Sequence, residues 1–226
     1  MHVVIAVPKG RTYQDGFIKS LLALLLYEKA SNLYIISISF AEEPSKDMTK
    51  YEDVAEKRRK LMEDAIASGA THILYLDDDM MFPPNTLRRL MAHKLPFVSA
   101  LGFMRKKPFY PTIFTTTTTR NKGVVTEKYN YVLDYPDQAF TVDGVGMFCC
   151  LVDLSIVPKL RKPWFETEGI TGDSKISEDI SFSRRLWEAG IAITIDPNIQ
   201  TGHIINKNLV ATEGSFKQVM RESGRL

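Results

Sequence analysis

The chain has 226 residues, of which 44% are hydrophobic and 25% charged, and its net charge is only +2. That apolar content can offset chain entropy, so disorder as the main state is excluded, and the length suits one α/β domain. The near-neutral balance gives the whole molecule no polyanion-binding signal, although a local basic patch stays open.

The elements follow in chain order. Val3 to Val7 is a short apolar run stopped by Pro8, Lys9 and Gly10, which predicts a buried strand and a turn. Phe17 to Lys29 is rich in Leu and Ala and predicts a helix. The apolar part of that segment, Phe17 to Leu26, is too short to span a bilayer. The strand-like run at Val3 to Val7 does not read as a signal peptide, and the expectation is a cytoplasmic protein. Leu33 to Phe40 is β-branched and aromatic, as a strand should be. Tyr51 to Ser68 spaces apolar residues among charges as an amphipathic helix does, and Gly69 stands where a C-cap belongs. Ile73 to Leu76 predicts a third strand, which runs directly into Asp77, Asp78 and Asp79. Pro83 and Pro84 open a helix over Asn85 to His93, and Phe97 to Leu101 is a fourth strand.

Such alternation predicts a mostly parallel sheet with right-handed crossovers and helices on both faces. Ligands of such sheets bind at the carboxyl ends of the strands. Pro8 and the triplet Asp77 to Asp79 both fall at such ends.

The second half changes character. Thr112 to Thr119 and Val124 to Val132 predict a small β-hairpin insertion, with its turn near Asn121, Lys122 and Gly123. Met147 to Val152 is an apolar strand that contains both cysteines, Cys149 and Cys150. Adjacent cysteines form only a strained disulfide and match no zinc-thiolate spacing, so they read as small buried apolar residues. Ser177 to Ala189 predicts a helix closed by Gly190. Ile191 to Ile195 is a last strand, stopped by Asp196-Pro197.

Four features carry chemistry. Adjacent carboxylates at Asp77 to Asp79 repel one another, and a hard divalent cation relieves that repulsion. Glu178 and Asp179 open the late helix; the helix dipole favours acids there, and either carboxylate is also a candidate general base. Gly144 and Gly146 precede a strand and let backbone approach a ligand, or simply form a tight turn. His203 follows the last strand, and histidine is the commonest metal-ligating side chain. Basic Lys57, Arg58, Arg59 and Arg105 to Lys107 suit a diphosphate or an acidic acceptor, and equally a solvated surface.

In this order, the segments ILYLDDDMMFPPNTL, VDGVGMFCCLVD, ISEDISFSRRLWEAGIAITIDP and TGH resemble those of the GT-A fold glycosyltransferases, family 2 in particular. The likeness covers residues 1–205 as one domain and leaves 206–226 as a C-terminal tail. It implies transfer of a sugar from a nucleotide-diphosphate-sugar donor to an acceptor hydroxyl. It also implies Mn²⁺ or Mg²⁺ held by Asp77, Asp79 and His203, with Asp179 as the base of an inverting displacement and Glu178 beside it. Pro8, Arg58, Asp77, Asp78, Gly144 and Gly146 would contact the donor. The acidic residue that reads the nucleobase in that family has only Glu42 and Glu43 nearby. The acceptor is a glycan or, as small stand-alone transferases of phage type suggest, a modified base in DNA. A nucleotidyltransferase and a non-catalytic nucleotide-sugar-binding module are the other two readings. The former would carry a glycine-rich phosphate loop after the first strand, which Pro8 to Arg11 does not supply.

Overall fold

The computed structural model describes residues 1–8, 13–41, 50–121, 124–169 and 175–225. Lys9 to Arg11, Glu42, Glu43 and the hairpin turn at Lys122-Gly123 lie outside these described residues.

The chain runs β1 (His2–Val7), α1 (Asp15–Ser31), β2 (Ile35–Phe40), α2 (Lys50–Ala67) and β3 (His72–Leu76). A two-residue β4 (Met80–Met81), α3 (Thr86–Ala92) and β5 (Phe97–Leu101) follow. The hairpin is β6 (Ile113–Asn121) and β7 (Val124–Tyr131), followed by β8 (Phe140–Val142), β9 (Gly144–Val145) and β10 (Cys149–Asp153). Two short strands, β11 (Glu168–Gly169) and β12 (Lys175–Ile176), lead to α4 (Glu178–Glu188). The chain then forms β13 (Ile193–Gln200), β14 (Gly202–Asn206), β15 (Leu209–Ala211) and α5 (Glu213–Glu222).

The central sheet has seven strands in the order β2-β1-β3-β10-β5-β13-β8. Strands β2, β1 and β3 pair in parallel, as do β5 and β13, while β10 runs antiparallel between the two parallel groups. The edge strand β8 is antiparallel to β13. Buried strands alternate faces with a period of two, and this splits the core cleanly. Val3, Ile5 and Val7 of β1 and Leu74 and Leu76 of β3 pack against Phe17 and Leu24 of α1 and Leu87 and Leu90 of α3. On the other face, Val4, Ala6, Ile73 and Tyr75 pack against Leu61 and Met62 of α2 and Phe182 and Leu186 of α4. Helices therefore cover both faces, and the strand ends are left to build a site.

Cys149 and Cys150 are free and buried, as expected from their apolar context. Among the described residues no helix is long and apolar enough to cross a membrane.

Two segments differ from the sequence-based expectation. Strand β13 runs through Asp196-Pro197 instead of stopping there. Its register against β5 jumps between Asp196 and Gln200, so Pro197 sits in a bulge where no ladder hydrogen bond is asked of it. The segment read as a tail forms β15 and α5. Its helix starts with a capping box between Thr212 and Ser215 and drives Phe216 and Met220 into the core.

Candidate active site

Strand β3 ends at Leu76, and the chain turns at Asp77, whose backbone N–H is taken by the Phe148 carbonyl at 3.0 Å. The turn returns as β4, which pairs with β14 through Met80 and His203. The N–H of Ile204 donates to the Asp79 carbonyl at 2.8 Å, so the Asp79 and His203 backbones are locked together.

This small sheet brings two of the expected metal ligands into register. His203 Nε2 lies 3.3 Å from Asp79 Oδ2, and Arg105 Nη1 lies 2.9 Å from the same oxygen. His203 Nδ1 is 2.9 Å from the Phe103 carbonyl, which only accepts, so Nδ1 carries a proton. In the neutral ring the Nε2 lone pair then faces a carboxylate. That arrangement is favourable when a cation or a proton lies between them. A histidine anchored on a carbonyl through one nitrogen and offering the other is the usual setting of a metal-ligating imidazole. Burial raises the Asp79 pKa, but the His203 hydrogen bond and the charges of His203 and Arg105 outweigh it and hold the carboxyl below its ordinary range.

Asp77, the third expected ligand, is engaged elsewhere. Arg58 Nη2 donates to Asp77 Oδ1 at 2.9 Å and to the Met147 carbonyl at 2.9 Å, and Arg58 Nη1 donates to Glu178 Oε1 at 2.7 Å. The sequence puts Arg58 among the donor-binding groups. The structure has it only 3% exposed, with its guanidinium directed at these protein partners. Burial works against the Arg58 charge, but Asp77, Glu178 and Asp179 outweigh it and raise the pKa. Asp77 is raised above the usual carboxylate range, first by burial and then by Asp79. Asp78 sits half-buried in the turn between its two neighbours. Among the described residues no group of three or more His, Cys, Asp and Glu side chains gathers as a metal cage, so Asp79 and His203 are a two-donor set.

Glu178 and Asp179 open α4, as read from the sequence, but they face different surroundings. Glu178 is buried against Arg58, and one guanidinium shared by two carboxylates leaves one acid in excess. Burial pushes the Glu178 pKa up to about 7. Its folded pKa thus exceeds the unfolded value near 4.5. The folded state therefore binds the proton more tightly, and the stability this gives is present at low pH and lost as pH rises through about 7. Glu178→Gln is expected to flatten the fall in urea midpoint between pH 5.5 and 8.5. An unchanged slope would show that other groups set it.

Asp179 is half-buried, and its Oδ1 accepts hydrogen bonds from Ser177 Oγ and from the Ile180 N–H. Its charge reaches Tyr131, whose pKa is raised by burial, by Tyr110 and by Asp179. Tyr131 stands in an aromatic group with Tyr110 at 5.1 Å and Phe114 at 5.0 Å between ring centroids.

The two glycines stand at close packing contacts. A Cβ on Gly144 would meet Ile180 of α4 at 3.1 Å, and one on Gly146 would meet Thr112 at 3.1 Å. The close approach holds β9 against both α4 and the hairpin, with the Val145 N–H donating to Ser183 Oγ at 3.2 Å. Pro8 is buried at the carboxyl end of β1. Of the aromatics in Phe103 to Tyr110, Phe103 and Phe109 are core residues, and only Tyr110 is half-exposed. The sequence offered no signal for the Phe103 carbonyl, because a backbone group carries no residue type.

No protein-family model matches the chain, and no curated protein matches it in sequence. Solved structures do resemble it. The protein A197 from STIV matches with a TM-score of 0.57 at 13% identity, over 95% of this chain and 92% of that one. A mutant of a Drosophila β1,4-galactosyltransferase 7, in complex with manganese, UDP-Gal and xylobiose, matches at TM-score 0.48 and 12% identity, over 92% and 72%. GalNAc-T7 with UDP, GalNAc and Mn²⁺ matches at TM-score 0.48 and 12% identity, over 97% of this chain and 47% of that one. The likeness to A197 shows a shared fold, which in this chain is a mostly parallel seven-stranded sheet with helices on both faces, β10 and the edge strand β8 antiparallel, and an acidic turn at the end of β3.

Proposed function

We propose that the chain is a metal-dependent glycosyltransferase that moves a sugar from a nucleotide-diphosphate-sugar to an acceptor hydroxyl. The observation that carries this reading is the Asp79–His203 pair at 3.3 Å, with Nδ1 anchored on Phe103 and Nε2 turned to the carboxylate. A hard divalent cation, Mn²⁺ or Mg²⁺, suits one carboxylate and one imidazole when diphosphate oxygens and water supply the remaining ligands. When bound, it would neutralise the charge that develops on the departing nucleoside diphosphate.

The chain's own residues do the rest. Phe103 fixes the ring of His203, and the β4–β14 pairing fixes its distance from Asp79. Arg58 holds Asp77 and Glu178 together, so the strand end and the start of α4 form one rigid wall. Asp179 is the candidate base. It accepts the acceptor's hydroxyl proton as the new bond to the anomeric carbon forms and the bond to the diphosphate oxygen breaks. The Ser177 and Ile180 hydrogen bonds to Oδ1 orient that carboxylate.

Calorimetry with nucleoside diphosphates tests the metal site. Binding in Mn²⁺ is expected to weaken by about tenfold or more with chelator, and similarly in Asp79→Ala and in His203→Ala, as loss of a ligand predicts. Equal affinity with and without metal would remove the proposed role of the pair.

A further inference from the structure

A second set of residues lies away from the metal pair, along the hairpin and α4. In the hairpin register, Phe114 opposes Tyr131, Thr116 opposes Tyr129 and Thr118 opposes Glu127. Directly opposed residues on alternate positions share one face of the sheet, so these three pairs form a ladder along the hairpin. The ladder begins beside Asp179, whose charge acts on Tyr131.

Helix α4 runs beside the ladder. Ile180, Arg184 and Trp187 are spaced i, i+4 and i+7, which puts them on one helix face. Ile180 packs under Gly144 of β9, and Arg184 pairs with Glu127 of β7 at 3.0 Å, so this face is turned to the hairpin along its length. Between helix and hairpin lies a cavity of about 240 Å³ bordered by Thr116, Thr118, Tyr129, Arg184 and Trp187. Trp187 is 71% exposed at its far end. At 1.5 Å per residue, Trp187 stands about 10 Å along the helix from Ile180 and the Asp179 end.

We infer that this face is an acceptor track for an uncharged saccharide chain, with the Trp187 indole as its distal platform. Three properties select that ligand class. An exposed indole offers an apolar face on which a sugar ring can lie, and its N–H remains available to an oxygen. Thr116 and Thr118 place hydroxyls along the cavity, and the Tyr129 hydroxyl, which donates to Glu127 Oε2 at 3.3 Å, still has an oxygen that accepts, which matches a ligand rich in hydroxyls. Glu127, Asp143, Glu188 and Arg184 border the cavity; Glu127 pairs with Arg184 and Glu188 with Arg161, so Asp143 keeps the lining acidic, which disfavours a phosphate backbone. A glycan is thus favoured over DNA as acceptor, and Lys106 and Lys107, on the loop after β5, do not border this cavity.

The inference rests on the transferase reading for what the track feeds, but its binding test stands alone. An array of neutral glycans, acidic glycans and single- and double-stranded oligonucleotides is probed with the full chain, Trp187→Ala and Trp187→Tyr. Neutral oligosaccharides are expected to be retained by the wild-type chain. Retention should be about tenfold weaker in Trp187→Ala, the size of an aromatic contact, and largely kept in Trp187→Tyr. Since Trp187 is exposed, matching thermal unfolding curves will show that the variants fold. Retention of oligonucleotides or acidic glycans alone, or equal retention by Trp187→Ala, overturns the track. Calorimetry with nucleoside diphosphate and Mn²⁺ on the same proteins separates the two claims. Nucleotide binding without any neutral-glycan binding overturns the track and leaves the transferase reading. Trp187-dependent glycan binding without nucleotide binding does the reverse.

Discussion

Replacing Asp179 with Asn is expected to cut sugar transfer by about 10²–10⁴-fold, the range of a lost general base, while nucleoside diphosphate affinity in Mn²⁺ changes little. The split follows from the geometry. Asp179 Oδ1 is bound by Ser177 and Ile180 at the start of α4, its charge acts on Arg58, Glu178 and Tyr131, and it makes no direct contact with the Asp79–His203 pair among the described hydrogen bonds and ion pairs. Asn keeps the size and the hydrogen-bond acceptor, so the helix start is preserved. Steady-state kinetics with calorimetry on the same preparation checks this. If the variant loses stability but keeps its turnover per folded molecule, Asp179 is only a helix-capping acid. A product with retained anomeric configuration would also remove the base role.

The second large effect is on stability. Arg58→Met is expected to cost roughly 3–5 kcal/mol, as breaking a buried ion pair by removing one partner does. Arg58 is 3% exposed, and it ties β3 through Asp77, the segment before β10 through Met147 and α4 through Glu178. Methionine fills much of the volume but leaves two carboxylates without their cation. Arg58→Lys should recover only part of the loss, because an ammonium cannot fork across both acids and the carbonyl. Urea unfolding at fixed pH measures it, and a loss below about 1 kcal/mol would mean that the acids find other partners.

The sequence made the central sheet legible because its strands are short apolar runs that end at clear stops. Val3 to Val7 and Ile73 to Leu76 are buried on both faces, so they read as strands without any need for alternation. The strand-end position of Asp77 to Asp79 and the helix start at Glu178 followed from the same signals. The small sheet of β4, β14 and β15 was not legible: strands of two to five residues carry no usable period. The last helix was missed because its capping box uses Ser215 where Glu or Gln is the commoner partner. The carboxylates were visible one by one, but their division of labour was not. That division depends on Arg58 meeting Glu178 across 120 positions and on Phe103 meeting His203 across 100. Such separations leave no trace in local spacing. The glycines were seen, but their contacts with Ile180 and Thr112 were not.

Turnover decides whether the chain transfers sugar. The chain is incubated with a panel of nucleotide-diphosphate-sugars, Mn²⁺ and a mixture of neutral oligosaccharides, and all products are identified by mass spectrometry. Release of a nucleoside diphosphate matched by one added sugar on an oligosaccharide is expected, and both should be lost with chelator and in Asp79→Ala. Release of pyrophosphate would indicate nucleotidyl transfer, and donor binding without any product would indicate a binding module; either result would rule out the transferase reading.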